Sequence, residues 1–178
     1  AEDMARLTDG RLADMMWTDP PYGVGIASRV GTTSGMSSAQ AREEGHPGIA
    51  NDDLDVPQLV AFLRGAFETA LDACRPGAVW YVAAPHGPMG VAFSMVLHDL
   101  GIWHSSLVWV KDSMVISRLD YHYRHEVLYY GWKPGGAHHP GPDRCQTSVF
   151  EFPRPKRSEQ HPTMKPVELI RKHIENSS

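Results

Sequence analysis

The stretch Ala13-Asp14-Met15-Met16-Trp17-Thr18-Asp19-Pro20-Pro21-Tyr22 runs from a short apolar segment into an acid, two imino acids and an aromatic ring. Residues Ala13 to Thr18 have the pattern of a buried strand, and the prolines forbid its continuation. Four fixed residues at about 5% usage each recur by chance in roughly one chain in a thousand of this length. Asp19-Pro20-Pro21-Tyr22 is therefore informative. An acid beside an aromatic face at a strand end suits a planar ring that carries an exocyclic amine.

The elements downstream set the fold class. Residues 23–50 are rich in Gly, Ser, Thr and Ala without an apolar period and are expected to form a mobile loop. Asp55 is placed to cap a helix starting near Pro57, with Leu59, Leu63, Phe67, Ala70 and Cys74 as its apolar stripe. Arg75-Pro76-Gly77 reads as its stop. Ala78 to Ala84 reads as a strand buried on both faces. A second helix is expected from about Pro88 to Leu100, stopped by Gly101. Trp103–Val110 and Glu126–Trp132 are the next strands. No helical pattern lies between them, which favours antiparallel pairing. Residues 133–160 look irregular, and Pro166–Ile174 should be a short helix with Val167, Leu169, Ile170 and Ile174 on its apolar side. Helices alternating with buried strands predict one α/β domain over residues 1–178, with a mostly parallel sheet.

Composition narrows the class further. The 178 residues are 42% hydrophobic and 21% charged, ordinary for a globular protein. No apolar run is long enough for a membrane span, and the polar start does not read as a signal peptide. The expected partners therefore do not include a membrane. Cys74 and Cys145 show neither a metal motif nor a disulfide framework, which favours a reducing, cytoplasmic setting. His122 and His125 lie three apart, but no histidine pair has structural zinc spacing, so no metal is expected. The net charge of −4 divides into −7 over residues 1–100 and +3 over residues 101–178. A basic second half is compatible with a polyanion across one face.

Asp19-Pro20-Pro21-Tyr22 after a strand resembles the catalytic motif of S-adenosylmethionine-dependent DNA amino-methyltransferases. His161-Pro162-Thr163-Met164-Lys165-Pro166 resembles the cofactor-side motif of their β-order members. Trp109-Val110-Lys111, followed by Tyr121-His122-Tyr123-Arg124-His125-Glu126, is similar to the segment that packs beside their target-base pocket. The resemblance spans nearly the whole chain, in the right order.

It implies a Rossmann-like methyltransferase fold with an antiparallel hairpin. It also implies S-adenosylmethionine as cofactor and double-stranded DNA as substrate. Asp19, Pro20, Pro21 and Tyr22 would be catalytic. Asp19, His161, Thr163, Lys165, Pro166, Asn176, Ser177 and Ser178 would border the cofactor. Tyr22, Lys111, Tyr121, His122, Tyr123 and His125 would wall the base pocket. Lys133, Arg144, Arg154, Lys156 and Arg157, in a short recognition region at 133–160, would meet phosphates.

An Asp in first position resembles adenine-N6 enzymes more than cytosine-N4 enzymes, and no cysteine follows a proline, which excludes the cytosine-C5 chemistry. In β-order members a strand and an Asp-Pro-Phe-x-Gly-x-Gly turn follow at this point. The chain ends at Ser178 before any such turn, so it is expected to lack the strands after the cofactor-side helix. A catalytically silent DNA-binding piece is then the alternative. The resemblance also places the protein at the nucleoid of a bacterium or in a phage-type system. It leaves open a homodimer and a restriction or other DNA-modification partner.

Overall fold

The computed structural model describes residues 2–23, 54–114, 120–155 and 164–178. After a short helix α1 (Glu2–Leu7), the elements are β1 (Ala13–Thr18), α2 (Val56–Asp72), β2 (Cys74–Ala84), α3 (Pro88–Asp99), β3 (Trp103–Val110), β4 (His125–Trp132), β5 (Val149–Glu151) and α4 (Val167–Ser177). The strands form one sheet in the order β1-β2-β4-β3-β5. Four strands run one way. β4 alone is reversed, paired antiparallel with both β2 and β3. The expected hairpin is thus β3–β4, with Leu107 opposite Leu128 and Trp109 opposite Glu126.

Alternation along the strands builds two cores. Trp80 and Val82 of β2 point to α2 and α3, where they meet Leu59, Leu63, Phe93 and Val96. On the other face Trp109, Leu128 and Phe150 pack with Leu169 of α4. The sheet is therefore covered on both faces, as α/β layering requires. Local chemistry sets the helix ends as anticipated. Asp55 and Gln58 form a reciprocal capping box at the start of α2. Gly101, at φ +69°, ends α3 with amides of Gly101 and Ile102 donating to His98 and Leu97 carbonyls.

Three expectations change. Arg75-Pro76-Gly77 does not sit between helix and strand but inside β2, whose pairing with β1 jumps from Ala13–Cys74 to Met15–Val79. The glycine is required there: φ is +80°, and a Cβ would meet the Ala137 carbonyl at 2.1 Å. Residues 133–160 are not wholly irregular, because β5 pairs parallel with β3. On α4, Val167 and Ile174 face outward, and the buried residues are Leu169, His173, Asn176 and Ser177. The loop expected at 23–50 lies, beyond Gly23, outside the described residues.

Lys133 also departs from its expected role as a phosphate contact. Its Nζ donates to the carbonyls of Leu71 and Cys74, both at 2.8 Å. Its backbone binds Gly77 and Ala78. It ties the end of α2 to the start of β2 and the end of β4. Lys133→Met should lower unfolding free energy by about 2 kcal/mol in urea titration, since hydrogen bonds to charged groups contribute in that range. A change below about 0.5 kcal/mol, the scale of an ordinary surface substitution, would show that the cap is dispensable.

Candidate active site

β1 delivers Asp19 to the C-terminal end of the parallel strands, the usual ligand edge of such sheets. The two half-buried prolines follow, with no cis peptide among the described residues. The chain turns back so that the Tyr22 hydroxyl donates to Asp19 Oδ1 at 2.7 Å. Lys165, just ahead of α4, donates from Nζ to Asp19 Oδ2 at 2.6 Å. Its side chain is only 8% exposed, whereas that of Asp19 is 30% exposed. Buried Pro166 precedes the first turn of α4, where proline is well tolerated. The Tyr22 ring sets its edge against Phe93 of α3, and the Lys165 ammonium lies 5.7 Å from that ring's centroid.

A second carboxylate stands behind this pair. Glu126, at the start of β4, places Oε1 2.7 Å from Lys111 Nζ and Oε2 3.3 Å from Lys165 Nζ. Burial pushes the Glu126 pKa up, but Lys165 and then Lys111 outweigh it and hold the carboxyl below its ordinary range. Lys111 is buried, so it is not open to a base as expected; it bonds inward and lies 5.1 Å from the Trp109 ring centroid. Asp19, Lys165, Glu126 and Lys111 thus alternate in sign along one chain of contacts.

The wall beside this chain is aromatic. Tyr123 stacks on His86 at 3.9 Å, and His86 Nε2 bonds the His125 carbonyl at 2.8 Å. Burial and the nearby His125 and Lys111 outweigh that bond and Glu126, and lower the His86 pKa. Tyr121 is 87% exposed and His122 is exposed as well. His86 and Glu126 were not singled out as site residues. The signals for them are a histidine two residues past the buried run Ala78–Ala84 and an acid at the start of β4.

The remaining candidates lie elsewhere. His161, Thr163, Lys156 and Arg157 fall outside the described residues. Arg144 and Arg154 are exposed. Asn176, Ser177 and Ser178 do not join Asp19, because α4 carries them about 14 Å or more along its axis from its first residue, Val167, at 1.5 Å per residue. Ser177 Oγ bonds the Tyr81 hydroxyl at 2.8 Å, and Asn176 and Ser177 line a cleft of about 320 Å³ with Tyr130, Gly141 and Gln146. His138, within the 133–160 region, is half-buried and stacks on Trp132 at 3.7 Å. Among the described residues no three His, Cys, Asp or Glu side chains cluster as a metal site. No described helix is long and apolar enough to cross a membrane.

The family profile described as DNA methylase, of the N6/N4 type, matches residues 13–178. The chain belongs to this family. Among solved structures, the DNA methylase chain is similar to a crystal structure of an M1.HpyAVI–SAM complex, at 12% identity and a TM-score of 0.56. The match covers 99% of this chain and 71% of that one. A crystal structure of M1.HpyAVI is similar at 13% identity and a TM-score of 0.52, over 99% and 70% of the two chains. At such identities the likeness concerns the fold, which is the α/β methyltransferase fold. No curated protein sequence matches this DNA methylase.

The helix that brings Lys165 to Asp19 is anchored by His173. Its Nδ1 accepts a hydrogen bond from Trp17 Nε1 at 3.0 Å, and its ring stacks on Tyr81 at 4.2 Å. Burial lowers its pKa to about 4. Between pH 6.5 and 4 the unfolded chain therefore binds a proton that the folded one excludes, so stability should fall as pH drops through this window. The loss is on the order of 3 kcal/mol, and His86 and His138 act in the same direction. Glu126, with its lowered pKa, adds its loss only at still lower pH. Thermal melts from pH 7 to 4 should show a shallower decline for His173→Gln, which keeps an acceptor for Trp17. An unchanged slope would show that His173 is not the titrating anchor.

Proposed function

We propose that this DNA methylase moves a methyl group from S-adenosylmethionine to an exocyclic amine of a base flipped out of double-stranded DNA, with adenine N6 as the target. The observation that carries the reading is the Asp19 carboxylate, fixed on one oxygen by Tyr22 and on the other by Lys165, yet still partly open at the strand end. A carboxylate oxygen has lone pairs to spare beyond one donor. Asp19 can therefore still accept an amine N–H, and the carbonyl of Pro20 is the natural second acceptor.

An exocyclic amine is a poor nucleophile because its lone pair is delocalised into the ring. Two acceptors in line with its N–H bonds draw the nitrogen toward tetrahedral geometry. Positive charge then develops on nitrogen beside preorganised negative groups, which is where catalysis gains most. A nitrogen–carbon bond would form as the carbon–sulfur bond of the donor breaks, leaving a neutral thioether, and the cationic amine would give up one proton to water. Tyr22, held by Phe93, offers a ring face to the base, with the Tyr123–His86 stack nearby. The target amine is unreachable in a duplex, which is why flipping is needed.

S-adenosylmethionine supplies the electrophilic methyl carbon on a sulfonium centre. Asp19 is an anionic neighbour suited to that cation, and Lys165 and Pro166 would border it, with His161 and Thr163 assigned there by motif order alone. Exposed Arg144 and Arg154 are the described residues suited to phosphates.

Tritiated-methyl incorporation into duplex oligonucleotides provides the test. Asp19→Ala should lower the rate at least about 100-fold, the scale of losing one preorganised group. Duplexes whose adenines already carry an N6-methyl group should accept no label. Full activity of Asp19→Ala would overturn the mechanism, and labelling of the premethylated duplex would move the target to cytosine N4.

A further inference from the structure

Two carboxylates compete for one ammonium in this site. Lys165 Nζ sits 2.6 Å from Asp19 Oδ2 and 3.3 Å from Glu126 Oε2. The second contact is long, and among the described residues Glu126 Oε2 has no hydrogen-bond partner although it is buried. Lys111 accounts for the difference, because it holds Glu126 by the other oxygen at 2.7 Å. Lys111 is itself fixed. Its amide donates to the Arg124 carbonyl at 2.8 Å, its carbonyl accepts from Arg124 Nε at 2.9 Å, and its ammonium lies by the Trp109 ring. Both lysine side chains are under a tenth exposed, so water cannot substitute freely for a lost partner.

We infer that Lys111 is a positioning residue, which occupies Glu126 so that Lys165 stays committed to Asp19. Removing the Lys111 charge leaves Glu126 with one remaining cation. Lys165 then shifts toward Glu126, Asp19 keeps only Tyr22, and the acceptor for the amine loses its orientation. Removing the competing charge on Glu126 as well returns Lys165 to Asp19. The inference rests on the reading of Asp19 as the group that meets the amine. A purely structural role for the Lys111–Glu126 pair gives the opposite pattern, with the double variant no better than Lys111→Met.

Steady-state methylation with the full chain distinguishes the two. Lys111→Met should lower kcat about 10- to 100-fold, the scale of a sub-ångström to ångström misplacement, with KM for DNA nearly unchanged. Lys111→Met/Glu126→Gln should be faster than Lys111→Met by most of that factor. Thermal melts of each variant identify any that fail to fold, and Lys111→Arg, which keeps the charge, then serves as the second comparison and should retain kcat within a few fold. A Lys111→Met kcat equal to wild type, a folded double variant no faster than Lys111→Met, or a folded Lys111→Arg as slow as Lys111→Met overturns the inference. If instead Asp19→Ala retains activity, the proposed function fails, whatever Lys111 does.

Discussion

A carboxylate cannot remain ionised inside a protein without compensation, and Glu126 meets that demand with two ammoniums from distant parts of the chain. Lys111 arrives at the end of β3 and Lys165 at the threshold of α4. Lys165, itself a buried ammonium in need of a counter-charge, meets Asp19 across 146 residues of sequence. The end of β1, the β3–β4 hairpin and the start of α4 therefore meet at one point. The aromatic and aliphatic cores on the two sheet faces hold these elements at fixed spacing, since packed interiors resist small displacements.

Helix α4 matters because it carries one of those ammoniums. Its contact face is largely polar, with His173, Asn176 and Ser177 buried beside Leu169. Each of the first three bonds to a specific partner: Trp17, Gln146 and Tyr81. Such bonds are directional, so they specify the rotation of the helix as well as its docking. Rotation decides whether the residue just before the first turn reaches Asp19.

Much of this arrangement was legible in the chain. The run into Asp19-Pro20-Pro21-Tyr22 located the strand and the candidate site at its end, and the capping pair at Asp55 and the stop at Gly101 located two helix ends. The failures share a cause. Arg75-Pro76-Gly77 has the local chemistry of a loop, but Lys133 and Ala137, over fifty residues away, draw it into β2. The buried face of α4 follows a helical period in polar residues, which a search for apolar stripes passes over. Lys111 and Glu126 meet diagonally across the β3–β4 pair, whose register sets Trp109 opposite Glu126, rather than through sequence spacing, and Glu126 gains its importance only from that contact. Cys74, read as the last residue of a helical stripe, instead opens the neighbouring strand.

The contrast in exposure among the cations has a consequence for how the protein responds to ionic strength. Arg144 and Arg154 stand in solvent, and any phosphate they meet is shared with mobile counterions. Lys111 and Lys165 are shielded by the protein and their partners lie within contact distance, where screening by dissolved ions is weak. If Arg144 and Arg154 meet phosphates as proposed, added electrolyte loosens that contact while leaving the geometry around Asp19 intact. The exposed and the buried cations thus sit in two different dielectric settings, and on the proposed reading attachment could be tuned without disturbing alignment.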